Sequence, residues 1–174
     1  MKKDIRTKKM ERLVLENKSK KDIESIIEIY KEQLGIYLTE DHFLKLNESN
    51  NILSLVYRNI IFQYRNEKHL NYNDIIKRKE IMVQQLTKKM DDQCIILNQN
   101  INGGENRRYG IKLKLKECIH LLESTERSFC DGKLTTDVVI VSNELKYGFA
   151  IEVEEHAYLF TKWGIVNEHV KGLE

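Results

Sequence analysis

The sequence contains no proline, and alanine occurs only at Ala150 and Ala157. Proteins ordinarily place proline at about 5% of their positions. The absence of proline and the scarcity of alanine, together with heavy use of lysine, isoleucine and asparagine, are typical of translation from an AT-rich genome. We therefore expect the source to be a low-GC bacterium, a phage or a mobile element, while the bias itself indicates no activity.

Paired cysteines and long apolar runs are also missing. The three cysteines, Cys94, Cys118 and Cys130, are odd in number and form no C-x-x-C pair, which favours reduced thiols in a cytoplasmic protein. No run approaches the roughly 18 apolar residues of a membrane span, and the charged N-terminus lacks the apolar core of a signal peptide. We therefore expect no membrane association.

Motifs for nucleotide chemistry and for covalent catalysis are absent from the sequence as well. There is no Gly-rich phosphate loop, nucleophile elbow or Ser-His-Asp order, and Gly103 with Gly104 lacks the Lys-Ser/Thr that a P-loop requires. We expect no nucleotide chemistry and no bound cofactor. On balance the sequence favours a protein that is not an enzyme.

Charge is balanced over the whole chain but not along it. The 29 Lys and Arg residues against 27 Asp and Glu leave a net charge of +2. Residues 1–21 hold nine basic and three acidic residues, whereas residues 131–174 hold four lysines and eight acidic residues. A basic N-terminal segment and an acidic C-terminal segment indicate binding through complementary charge.

Helical spacing of apolar residues extends over most of the first half. It predicts helices over residues 2–17, 19–34, 39–46, 52–64 and 73–97, of which the first has only a thin apolar stripe. Ser19 opens a capping pattern, and Gly35 supplies a C-terminal stop. The fifth helix, from about Asn73 to Leu97, is the longest. Its apolar pattern is suited to a central helix of the fold or to a dimer interface.

We expect an α+β protein in which a helical half of about four helices precedes a small α+β half built on an antiparallel β-hairpin. Residues 1–97 form the helical region with its basic arm, 98–107 an Asn/Gly-rich boundary, and 108–174 the α+β region. Residues 109–116 alternate like a strand, yet residues 109–128 also fit a helix, which we favour. A third strand over residues 157–160 and a closing helix over residues 165–170 complete the prediction.

The hairpin lies within residues 135–155, where two apolar runs flank a polar turn centred on residues 143–146. One face carries core side chains, which are Val138, Ile140, Phe149, Ile151 and Val153. In this register Asp137 lies directly across from Glu152, with Glu154 two residues further along the same face. Like charges that face each other cost stability, so something positive is expected beside them.

Carboxylates that converge from adjacent strands suit a hard divalent cation. The order Asp137, then Glu152-x-Glu154, resembles the hairpin signature of restriction-endonuclease-like nucleases, in the variant with Glu at the final position. That resemblance implies a Mg²⁺- or Mn²⁺-dependent nuclease, with a fourth acid contributed by a helix at Glu117, Glu123 or Glu126. His156 extends the strand face, so Asp137, Glu152, Glu154 and His156 form the alternative metal set.

The other interpretation of these acids is structural: charges at a sheet edge prevent strands of different molecules from pairing. We favour it over catalysis. For binding, the candidate residues are the N-terminal basic side chains Lys2, Lys3, Arg6, Lys8, Lys9 and Arg12, with Lys77, Arg78, Lys79, Arg107 and Arg108 as further candidates.

The sequence therefore predicts a non-catalytic regulatory or inhibitory protein that binds a protein or a nucleic acid through charge. A metal-dependent nuclease is the alternative function. An alternative use of the basic end is pairing with the acidic C-terminal sheet, either within the same chain or across a homodimer.

Overall fold

The computed structural model describes residues 2–64, 69–98, 109–129 and 135–165. Its helices are α1 (Lys2–Ile29), α2 (Leu46–Leu55), α3 (Phe62–Tyr64), α4 (Tyr72–Gln85) and α5 (Leu115–Phe129). Its strands are β1 (Gln93–Asn98), β2 (Ile111–Lys114), β3 (Val138–Ser142), β4 (Gly148–Val153) and β5 (Tyr158–Trp163). Two π-helical turns, Tyr30–Leu34 and Val56–Ile61, follow α1 and α2.

Four helices thus precede a sheet of five strands in the order β2-β1-β3-β4-β5, and every pair of neighbours is antiparallel. The predicted α+β class is confirmed. The proposed boundary over residues 98–107 lies, apart from Asn98, outside the described residues. Strand β1 precedes that boundary in sequence but pairs with two strands that follow it.

The first helix is longer than predicted. Residues 2–29 form one continuous α-helix instead of two helices separated near Ser19, because neither glycine nor proline occurs before Gly35 to interrupt it. The predicted stop is confirmed: Gly35 adopts the left-handed conformation, with φ 66°, and its N–H caps the carbonyl of Tyr30.

The predicted helix over residues 73–97 is wrong in its second half. Helix α4 begins after Asn71, whose side chain accepts the Asp74 N–H at 3.0 Å, and it ends at Gln85. A short 3₁₀ turn follows, and then strand β1. The run from Cys94 to Leu97 is apolar at every position because β1 is covered on both faces. Such a run satisfies helical and strand spacing equally well.

Residues 109–128 contain both of the structures between which the sequence left a choice. Residues 111–114 form β2, and α5 begins directly at Leu115. The preference for helix was therefore wrong over residues 109–114. The Glu117 carboxylate accepts the Lys114 N–H at 2.8 Å, and this contact fixes the change from strand to helix.

The hairpin forms in the predicted register. Val138 pairs with Ile151 and Val141 with Gly148, so that the next pair outward is Asp137 opposite Glu152. Its predicted core face is also confirmed, because Val138, Ile140, Phe149 and Ile151 are buried in one cluster and Val153 packs against it. The predicted third strand is present as β5 and extends to Trp163.

Both faces of the sheet are covered. One face packs against the end of α1 and against α4 and α5, through residues such as Ile26, Met82 and Leu122. On the other face, Val139, Val141 and Ala150 form a second cluster with Val56 and Ile61 of the π-helical turn. The sheet is therefore the middle layer of three, and its internal strands meet water mainly at their ends.

The predicted closing helix over residues 165–170 lies outside the described residues, except for Ile165. Among the described helices, none combines the length and the apolarity needed to cross a bilayer.

A buried ion pair joins α4 to α5. The Lys79 ammonium donates to the Glu126 carboxylate at 2.6 Å, and their side chains are only 11% and 10% exposed. Lys79 was a candidate for binding a partner at the surface, and that interpretation is wrong because its charge is neutralised inside the protein. A buried pair of this kind stabilises only while both charges are present.

We expect Lys79→Met alone to lower the free energy of unfolding by about 3–5 kcal/mol, because the Glu126 carboxylate would stay buried without its cation. The double variant Lys79→Met/Glu126→Leu should regain most of that loss. Urea denaturation followed by the fluorescence of Trp163, the single tryptophan, measures both. Equal loss in the single and the double variant would contradict this account.

Candidate functional site

The carboxylate of Asp137 holds the open end of the hairpin together. Its Oδ1 accepts the backbone N–H of Val153 at 2.9 Å, and its Oδ2 accepts the hydroxyl of Tyr57 at 3.2 Å. Tyr57 belongs to the π-helical turn that covers this face of the sheet. Asp137 therefore ties β3 to the end of β4 and ties both strands to the helical layer above them.

The other members of the predicted acidic set do not gather around Asp137. Glu152 lies opposite Asp137 and is buried. Glu154 pairs with His69, whose Nδ1 lies 2.8 Å from Glu154 Oε2. The side chain of His156 is almost fully exposed, and its Nε2 lies 3.7 Å from a carboxylate oxygen of Glu155.

The three acids suggested by the nuclease resemblance as a fourth ligand also lie in separate places. Glu117 caps α5, Glu126 pairs with Lys79, and Glu123 is exposed. Within residues 2–64, 69–98, 109–129 and 135–165, no group of three or more His, Cys, Asp or Glu side chains is arranged to hold a metal ion. The hairpin thus brings together Asp137 and Glu152 only.

The edge-protection interpretation of these acids is wrong. Strand β3 lies between β1 and β4, and β4 lies between β3 and β5, so both strands are internal to the sheet. The acids lie at strand ends and not along an edge. Asp137 contacts Tyr57 and the Val153 backbone, and Glu154 contacts His69.

An open polar depression of about 480 Å³ lies at the opposite end of the hairpin. Beside it, the Tyr147 hydroxyl donates to Asp92 at 2.8 Å and lies 3.7 Å from the Cys94 sulfur, while the Lys89 ammonium is 4.4 Å from the centre of the Tyr147 ring. Burial is the main cause that raises the pKa of both Tyr147 and Cys94. Both groups are therefore protonated near neutral pH, and neither is an activated nucleophile or base.

The predicted basic residues lie on the first four turns of α1. We call residues 2–18 of this helix the basic arm; it holds seven Lys and Arg against three acidic residues. Every side chain that the structure describes between Thr7 and Lys18 is exposed, and the first buried residue of α1 is Ile26. At about 1.5 Å per residue the arm is about 25 Å long.

Of the six predicted binding residues, the structure describes the side chain of Lys8, which is exposed. The side chains of Lys2, Lys3, Arg6, Lys9 and Arg12 lie outside the described part, although their backbone belongs to α1. Among the further candidates, Lys77 is exposed and Arg78 half-buried, while Arg107 and Arg108 fall outside the described residues.

Three exposed apolar residues also lie on the basic arm. Met10, Leu13 and Val14 are 61%, 44% and 63% exposed. At 3.6 residues per turn they share one side of the helix, opposite the side on which Ile23 and Ile26 meet the core. They belong to the thin apolar stripe of the helix predicted over residues 2–17, and their exposure shows that they do not contribute to the core.

The role of Asp137 predicts the sign of a stability change. Asp137→Ala should lower the free energy of unfolding by about 1–3 kcal/mol, because the Val153 N–H and the Tyr57 hydroxyl lose their acceptor. Glu155→Ala, which removes an exposed acid from the same end, is the matched control and should be neutral. Urea denaturation measures both variants. Increased stability of Asp137→Ala would instead show that repulsion among the acids dominates.

Comparison with known proteins gives a family for the chain. No curated protein and no solved structure matches it. The family model described as YxiF protein matches residues 26–163. The match therefore begins at the first buried residue of α1 and ends at the last residue of β5, which leaves the basic arm outside it. Since the match covers well over half of the 174 residues, the chain belongs to the YxiF protein family.

Proposed function

We propose that this protein is a non-catalytic regulatory or inhibitory protein that binds a protein or a nucleic acid through complementary charge, and that the basic arm is its contact element. The observation that carries the proposal is the exposure of the arm. The arm carries seven basic residues over about 25 Å, and every side chain of it that the structure describes is exposed.

The charges of the arm support this role in two ways. Clustered cations attract an acidic surface over a Debye length, which is about 8 Å at physiological ionic strength, and so raise the rate of encounter. The cations also lie along one helix, so that they concentrate positive charge within about 25 Å. The lack of a C-x-x-C pair and the amino-acid composition support a cytoplasmic role in a low-GC bacterium, a phage or a mobile element.

Charge reversal on the arm tests this proposal. Lys8→Glu/Lys9→Glu should elute from a heparin column at lower salt than the original protein and should bind a labelled 20-bp duplex about tenfold more weakly at 50 mM salt. Lys31→Glu/Lys112→Glu is the matched control, because it changes the net charge equally at exposed positions elsewhere.

Comparison of the two variants distinguishes the effect of charge on the arm from the effect of the net charge of the protein. If both lose the same affinity, the effect comes from net charge and the arm is not the contact element. If the affinity of the original protein for the duplex does not change with salt concentration, nucleic acid is ruled out as the partner and an acidic protein remains.

The second candidate function is the metal-dependent nuclease. It is favoured by the position of Asp137 directly across from Glu152. In that case millimolar Mg²⁺ or Mn²⁺ should raise the melting temperature and support cleavage of plasmid DNA or RNA, and Glu152→Gln should abolish cleavage without unfolding the protein. No response to either metal would rule this function out.

A further inference from the structure

We propose that the basic arm docks as an amphipathic helix into an acid-rimmed apolar groove, or against an acidic amphipathic helix, of a partner protein. This inference rests on the function proposed above and names the class of partner. It starts from the apolar stripe of Met10, Leu13 and Val14, which is the part of the arm that charge alone does not explain.

The stripe has the arrangement of a protein interface. Its three residues follow the i, i+3, i+4 spacing by which a helix presents apolar side chains to a groove. On the same side of the helix, Arg6 precedes the stripe by one turn and Lys21 follows it. An apolar centre bordered by charged positions is the usual composition of a protein interface, in which the central side chains contribute most of the affinity.

Other occupants fit this side of the helix less well. Phosphate groups are bound by cations, and the bases of single strands stack on aromatic rings, whereas Met10, Leu13 and Val14 supply neither. Helices that lie on a membrane present a wide apolar face, often with Trp or Phe, and this stripe contains three aliphatic side chains. Polar groups on the partner that match the arm must therefore be acidic, and they must surround an apolar centre.

A second arm from another copy is also disfavoured by charge. Each arm carries seven basic and three acidic residues, so two arms side by side would repel each other. An acidic groove or helix removes this repulsion and covers the stripe at the same time. For this reason we assign the surface to a different, acidic protein.

The test uses the full chain and a defined probe. The probe is a labelled 21-residue helical peptide with Leu at heptad positions a and d and Glu at e and g. A second peptide carries Gln in place of each Leu. The full chain should bind the first peptide at least about tenfold more tightly than the second, as measured by fluorescence anisotropy.

Two triple variants decide whether the stripe is responsible. Met10→Gln/Leu13→Gln/Val14→Gln keeps the charge of the arm and should weaken binding of the Leu peptide about tenfold or more. Tyr37→Gln/Leu55→Gln/Ile81→Gln removes three exposed apolar side chains elsewhere and should leave binding unchanged. Circular dichroism confirms that both variants keep their helix content.

The outcomes distinguish this inference from the proposed function. Equal binding of both peptides, or undiminished binding by the stripe variant, overturns the inference, while a loss of binding in Lys8→Glu/Lys9→Glu would still support binding by charge. If the stripe is instead needed for binding to vesicles that contain phosphatidylserine, or to the duplex, the partner is a membrane or a nucleic acid. Either result overturns the inference. A concentration-dependent dimer that the stripe variant abolishes assigns the surface to a second copy and overturns it as well.

Discussion

Burial of the sheet on both faces is the constraint on which the rest of this structure depends. Ile95 and Ile96 are neighbours in β1, yet they belong to different hydrophobic clusters on opposite sides of the sheet. Neither cluster is complete without helices from the first half of the chain. Part of that half must therefore cross to each side, so that α1 and α4 cover one face while α2 and the following π-helical turn cover the other.

This constraint also determines what happens to charged groups near the sheet. A carboxylate or an ammonium that loses water needs a specific partner. Asp137 finds one in Tyr57 because the π-helical turn lies over the hairpin, and Lys79 finds one in Glu126 because α4 and α5 share a face. Asp137, one of the acids that suggested a metal site, thus joins the sheet to the helical layer. The partners of Asp137 and Lys79 therefore depend on how the helices cover the sheet.

The parts of the fold that sequence predicted are those in which the decisive information is local. The hairpin register follows from two short apolar runs and the turn between them, and Gly35 ends the π-helical turn after α1 by its own conformation. The contact between Tyr57 and Asp137 joins residues 80 positions apart, so that no spacing rule indicates it. The sequence predicts helix at β1 because an uninterrupted apolar run carries no period, and only its neighbours in the sheet determine its structure.

Packing constrains the sequence of the basic arm much less than that of residues 26–163. Residues 26–163 carry the family match and the buried core, so most changes there must preserve packing. Most of the stability of helices in proteins comes from packing of an apolar face, and the described side chains of the arm are all exposed. A partner that covers Met10, Leu13 and Val14 would supply the missing apolar contact. Since those side chains contribute little to folding, substitutions on the arm can change the binding that we propose for it while the free energy of unfolding of residues 26–163 stays the same.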